Sequence, residues 1–184
     1  MSGNRRSVRL PDVNYGRSGF YFVTLVTQDR AHIFGRVIDG QVHLSSADEI
    51  VRDEWLRTPV IRPGVNLDEW IVMPNHFHTI IGIDSEAHRD NRYGRVGAHR
   101  SAPCPSSGVP MLSRAPRSLG SIIAQFKSVT ARQINTIRDS QGVRVWQRGY
   151  DEHIIRNEVE LDKVREYIRN NPRNWDTDPE NPGS

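Results

Sequence analysis

Cysteine is nearly absent: Cys104 stands alone among 184 residues. One thiol closes no internal disulfide and cannot by itself build a cysteine-rich zinc site. Long apolar runs are missing too. The longest, residues 80–83, is Ile-Ile-Gly-Ile, far short of the roughly 20 residues that a membrane-spanning helix needs. Residues 1–19 carry Arg5, Arg6, Arg9 and Arg17 in place of the apolar stretch of a secretory signal. The expectation is a cytoplasmic chain with no membrane partner. Lysine is scarce: of 25 basic residues only Lys127 and Lys163 are lysine, and neither follows a glycine. A Gly-rich phosphate loop ending in Lys-Ser/Thr is therefore excluded.

The remaining composition supports a core. Apolar residues make up 36% of the chain, with 14 glycines besides, which argues against full disorder and fits a single domain over 1–184. The net charge of +3 conceals a segregation: residues 1–36 carry +4 and residues 89–148 carry +9, against −6 over 37–88 and −4 over 149–184. Basic charge concentrated in sections, and supplied by arginine, suits forked recognition of phosphate and stacking on bases, which makes nucleic acid the expected partner.

Residues 20–27, aromatic and β-branched, predict a central strand. Residues 37–44 predict a strand pair around Asp39-Gly40. Ser46 with Glu49 predicts a capped helix to about Arg57, with Ile50, Val51, Trp55 and Leu56 inward and Pro59 as its stop. Residues 70–73 and 76–83 predict a hairpin turning at Pro74-Asn75. Residues 84–117, with four prolines and little periodicity, predict a mobile surface loop. An amphipathic helix is predicted over 118–137, short strands at 143–146 and around Ile154-Ile155, and a last helix capped by Asn157 and ended by Pro172. After residue 175 the tail is expected to fray.

Two places could do chemistry. His76 and His78 flank Phe77, so on a strand both imidazoles leave one face while Phe77 enters the core; adjacent imidazoles suit a metal. Tyr167 and Asn171 lie one turn apart on one helix face, with Val164 and Ile168 on an adjoining strip that would pack this helix on the sheet. By spacing alone, that pair equally fits a core-edge tyrosine and a C-terminal cap. Mixed imidazole and oxygen ligation permits Mg²⁺ or Mn²⁺.

The segments Met73-Pro74-Asn75-His76-Phe77-His78, residues 146–156 (WQRGYDEHIIR) and Tyr167-Ile168-Arg169-Asn170-Asn171-Pro172, with Arg9-Leu10-Pro11 and Tyr21-Phe22-Val23-Thr24, resemble the REP-associated tyrosine transposases of the single-tyrosine HUH superfamily. The resemblance spans roughly residues 5–175. It implies an α+β fold, a central antiparallel sheet flanked by helices in the ferredoxin-like or RRM-like HUH endonuclease arrangement. It implies that His76 and His78 bind a divalent metal, that Tyr167 is the nucleophile, and that Asn171 occupies the third ligand position, where insertion-sequence relatives usually carry Gln. It further implies single-stranded DNA hairpins of the REP type as substrate, cleaved and rejoined through a 5′-phosphotyrosine. A homodimer exchanging the last helix is one arrangement among such relatives. Lys127, Arg132, Arg148, Arg114 and Arg117 are candidate DNA contacts, and Tyr150 is the rival nucleophile. The competing readings are a domesticated hairpin-binding protein and a water-using metallonuclease.

Overall fold

The computed structural model describes residues 19–84 and 118–181. In chain order these form β1 (Gly19–Val26), β2 (Gly35–Ile38), β3 (Gln41–Leu44), α1 (Ser46–Ile61), β4 (Val65–Met73), β5 (His76–Ile83), α2 (Leu119–Ile137), β6 (Asp151–Ile155) and α3 (Glu158–Asn170). Strands β4-β5-β1-β6 make one antiparallel sheet, and β2-β3 a separate hairpin. With that hairpin set aside, the order β1-α1-β4-β5-α2-β6 and the central pair β1 and β5 are those of the split ferredoxin-like βαββαβ unit. No described helix is long and apolar enough to cross a membrane.

The two faces of the sheet have different occupants because side chains alternate along each strand. Tyr21, Val23 and Leu25 of β1 and Phe77 and Ile81 of β5 join Val51 and Trp55 of α1 and Ile122, Ile123 and Phe126 of α2 in the larger core. At its centre Trp55 meets Phe77 and Phe126 edge-on, with ring centroids 5.3 and 5.2 Å away, an arrangement that favours aromatic pairs beyond their buried area. The opposite face holds a smaller cluster, where Ile80 and Ile155 meet Leu161 and Ile168 of α3, flanked by Phe20, Phe22, Ile71 and Val164. A ferredoxin-like sheet carries its two crossover helices on one side; here α3 covers the other.

Local chemistry explains most boundaries. Asp39 and Gly40 both take positive φ, 50° and 69°, as a tight two-residue hairpin turn requires. Ser118 caps α2 by accepting from Ser121 N, and Asn157 caps α3 by accepting from Glu160 N. Several expectations need correction. The cap of α1 is Ser45, which accepts from Ala47 N, and the helix runs through Pro59 to Ile61. The inward stripe is Ala47, Val51, Trp55 and Thr58, leaving Leu56 51% exposed, since one residue past Trp55 is about 100° around the helix. Residues 143–146 form no strand beyond a single bridge between Thr27 and Trp146. The tail does not fray at 175: Trp175 is buried in a short 3-10 turn, Trp175–Thr177, and Asp178 is buried after it.

Asp48, buried in the first turn of α1, carries a stability consequence. Burial, opposed mainly by Arg52, pushes its carboxyl up to about 6. The folded chain then holds a proton that the unfolded chain releases near pH 4, so stability falls as pH rises from 4 through 6. Asp48→Asn is expected to stabilise the protein by about 1–2 kcal/mol at pH 8, allowing for partial solvation and the lost favourable end charge of the helix, and to give no gain at pH 4. Urea denaturation at the two pH values checks this.

Candidate active site

Strand β5 brings the two histidines together. Phe77 is fully buried in the larger core, so His76 and His78 project to the face that α3 covers, with ring centroids 4.4 Å apart and both side chains buried. His78 Nδ1 pairs with Thr24 Oγ1 at 2.9 Å, and His76 Nδ1 pairs with Asn75 Oδ1 at 2.9 Å. Burial pushes His76 down to about 4, against the opposing pull of Asp178 and Asn171; burial and the neighbouring His76 hold His78 well below the usual imidazole range. Both rings are therefore neutral near pH 7, the state in which imidazole is a ligand.

Helix α3 delivers the phenol. Its apolar stripe, Leu161, Val164 and Ile168, seats it on Ile80 and Ile155. A bulge in β4 adds a second anchor: Leu67 pairs with Ile81 and Trp70 with Thr79, so Asp68 and Glu69 both stand opposite Ile80. These successive carboxylates meet Arg165 and Arg169, one helical turn apart. Arg165 donates to Asp68 through Nε at 2.9 Å and Nη2 at 2.5 Å, and Arg169 donates to Glu69 through Nε and Nη2. Tyr167 lies between the two arginines in sequence. Its Oη is 3.4 Å from His78 Nε2, and its ring is edge-on to Phe22 and to His78, at 5.9 and 5.3 Å between centroids. The phenol remains 40% exposed, open to a substrate. Partial burial, with the carboxylates of Asp178 and Glu180, pushes it up to about 12.

The chain then returns to the same point. Asn171, at the C-terminal cap of α3, is buried, and its Nδ2 donates to Asp178 Oδ2 at 2.7 Å. Trp175 anchors the return, stacked on His76 at 6.0 Å and edge-on to His32 at 5.5 Å. His76, His78 and Asp178 each offer a ligand atom within 4.8 Å of the others. Asp178 was missed by sequence reasoning, which released the tail at 175; the aromatic Trp175 so soon after Pro172 was the available signal that the chain is held there.

The donor set fits a divalent cation. His76 Nε2 and Asn171 Oδ1 are buried and make no hydrogen bond, and a buried polar atom left unpaired is costly. Although Asn171 favours the protonated form of His76, the two atoms do not meet hydrogen-bond geometry. Two neutral imidazoles, a carboxylate and an amide oxygen are a ligand chemistry that Mg²⁺, Mn²⁺ or Zn²⁺ accepts.

The sequence aligns at 36% identity over 178 residues with an uncharacterized protein of Haemophilus influenzae, covering 95% of this chain and 92% of that one. The chain belongs to that protein's family. No protein-family profile matches it. Among solved structures, a REP-associated tyrosine transposase bound to a REP hairpin aligns with a TM-score of 0.53 and 18% identity over 95% of this chain and 74% of its own. That likeness establishes a common fold. A candidate transposase of Deinococcus radiodurans aligns at a TM-score of 0.45 and 15% identity, over 88% of this chain and 97% of its own.

In this family member the cationic candidates separate. Arg132 and Arg148 are exposed; Arg114 and Arg117 lie outside the described residues, as do Arg9-Leu10-Pro11, Cys104 and all but residue 84 of the expected loop. Lys127 is not a free surface cation: its Nζ donates to the carbonyls of Gln147 and Gly149, each at 2.6 Å, and burial pushes it down to about 8. It fastens the segment leading to β6. Tyr150 packs against the larger core, on the sheet face away from the histidines. His153 Nε2 pairs with Glu160 Oε1 at 2.6 Å, tying β6 to the start of α3.

The arginine clamp has a testable role. Asp68→Ala with Glu69→Ala removes both carboxylates of the clamp while sparing the apolar stripe of α3 and every candidate ligand. Truncating the partly buried bidentate Arg165–Asp68 pair together with the more exposed Arg169–Glu69 pair, in which both nitrogens reach one carboxylate oxygen, is expected to cost about 1–3 kcal/mol in total and to lower the protection of α3 amides against hydrogen exchange more than those of α1. Equal loss of protection in both helices would refute a local clamp.

Proposed function

We propose that the chain is a transposase-type nuclease that cleaves and rejoins single-stranded DNA beside palindromic hairpins of the REP type, using Tyr167 as nucleophile. The observation that carries the reading is the phenolic oxygen of Tyr167, 3.4 Å from His78 Nε2 at the edge of a buried cluster of His76, His78, Asp178 and Asn171.

In the reaction the Tyr167 Oη–phosphorus bond forms and the bond from phosphorus to the 3′ oxygen breaks. The phenol loses its proton and the leaving 3′ oxygen gains one. One phosphate ester replaces another, so the reverse attack by a 3′-hydroxyl reseals a strand and no nucleotide cofactor is consumed. His76, His78, Asp178 and the Asn171 amide oxygen would hold a divalent cation, Mg²⁺ or Mn²⁺, whose contribution when bound is to polarise the scissile phosphate and offset its developing charge. Asn75 and Thr24 orient the two imidazoles. Phe22 and the arginine clamp keep the phenol in line, limiting its search for the phosphate. Because the phenol is protonated throughout the neutral range, its proton must leave as it attacks. In this reading the exposed Arg132 and Arg148 are candidate contacts for a DNA backbone.

The three readings predict different products from labelled hairpin DNA incubated with protein and Mn²⁺, then run on a denaturing gel. A labelled band at protein mass is the expected result and marks a transesterase. Free cleaved product without that band would mark a water-using nuclease, and neither would leave a hairpin-binding protein.

A further inference from the structure

We propose that Asn75 is a positioning residue for the donor cluster: its side-chain amide, held in one orientation by two backbone carbonyls, fixes His76 as the Nδ1–H tautomer and turns the bare Nε2 into the site. As to the cation this rests on the function proposed above; as to the tautomer it does not.

Asn75 is fully buried in the turn between β4 and β5. Its Nδ2 donates to Glu180 O at 2.7 Å, and Arg30 O lies 3.4 Å away on the same side. Carbonyl oxygens only accept. The flipped amide would set its own oxygen against both, so the orientation is determined by the surrounding main chain. Oδ1 must then face His76 Nδ1, at 2.9 Å. An amide oxygen has no proton to give, so the hydrogen bond exists only if Nδ1 carries one. In the neutral ring this leaves the lone pair on Nε2, the buried atom that no protein group satisfies. The other tautomer would oppose two acceptors at 2.9 Å.

His78 has no such lock. Its Nδ1 meets a hydroxyl, Thr24 Oγ1, which can rotate to donate or accept. The lock on His76 is also built from distant parts. The carbonyl of Glu180 is in place because Arg30 Nη1 donates to Pro179 O at 2.6 Å and Arg30 Nη2 pairs with the Glu180 carboxylate at 3.1 Å. The backbone carbonyl of Asn75 itself accepts from Thr27 N at 2.8 Å. Residues following α3 thus set the proton position of a ring on β5.

The test is a long-range proton–nitrogen correlation spectrum of the ¹⁵N-labelled, metal-free protein, which reports each histidine's tautomer directly, followed by a Mn²⁺ titration. Wild type is expected to show His76 protonated at Nδ1. Asn75→Ala should give mixed tautomers and about 10–100-fold weaker Mn²⁺ binding. Asn75→Asp keeps an acceptor opposite Nδ1 and should restore the tautomer, at a cost in stability because its second carboxylate oxygen faces the carbonyls of Glu180 and Arg30. Wild-type His76 protonated at Nε2 would overturn the proposal, and that spectrum decides whether or not Asn75→Ala folds. So would an unchanged tautomer and affinity in a folded Asn75→Ala. A locked His76 in a protein that binds no Mn²⁺ would uphold the tautomer and discard the metal reading instead.

Discussion

Tyr167→Phe yields no covalent protein–DNA adduct from a labelled hairpin, while native-gel binding of the same hairpin stays at the wild-type level. The substitution removes one oxygen. The ring, with its edge contacts to Phe22 and His78, stays where α3 puts it, and the partly exposed site makes a stability change beyond about 0.5 kcal/mol unexpected. Loss of the adduct is therefore attributable to chemistry rather than unfolding, which circular dichroism of the variant verifies. Tyr150→Phe is the matched control: its phenol belongs to the larger core on the other face of the sheet, and the adduct should form normally. Adduct at normal yield from Tyr167→Phe, or its disappearance from Tyr150→Phe, would transfer the nucleophile's role to another group.

The second large effect concerns the cation. Mn²⁺ at 100 times its dissociation constant stabilises a protein that binds it only when folded by about 2.7 kcal/mol, which for a chain of this size raises Tm by roughly 5–10 °C. Wild type is expected to show that shift in a thermal melt and lose it on adding a chelator. His76→Ala and His78→Ala should show neither shift nor adduct. The comparison is made within each variant, with and without Mn²⁺, because deleting a buried ring lowers the starting Tm through the cavity it leaves. A full shift in either variant would place the cation elsewhere.

Much of this organisation is legible along the sequence, for a physical reason that also sets its limit. His76 and His78 share a face because strands alternate, and Tyr167 and Asn171 share one because helices turn; both are local periodicities. The Asp-Gly hairpin and the Asn157 cap are likewise decided by neighbours within a few residues. Asp178 is different. Its place depends on Trp175 finding His76 and on Arg30 gripping residues 179 and 180, contacts between parts of the chain about 100 residues or more apart. The clamp on α3 was hidden similarly: Asp68 and Glu69 face Arg165 and Arg169 only because the bulge in β4 lets two residues stand opposite one. Lys127, placed on a solvent face by helical periodicity alone, is claimed instead by two carbonyls of a loop.

The helix bearing the phenol lies across the sheet of its own chain and reaches the imidazoles there. On the proposed function, a nucleophile and a cation site assembled within one polypeptide require no encounter between copies. Specific activity should accordingly be insensitive to dilution, and mixing a subunit stripped of its imidazoles with one stripped of its phenol should rescue nothing.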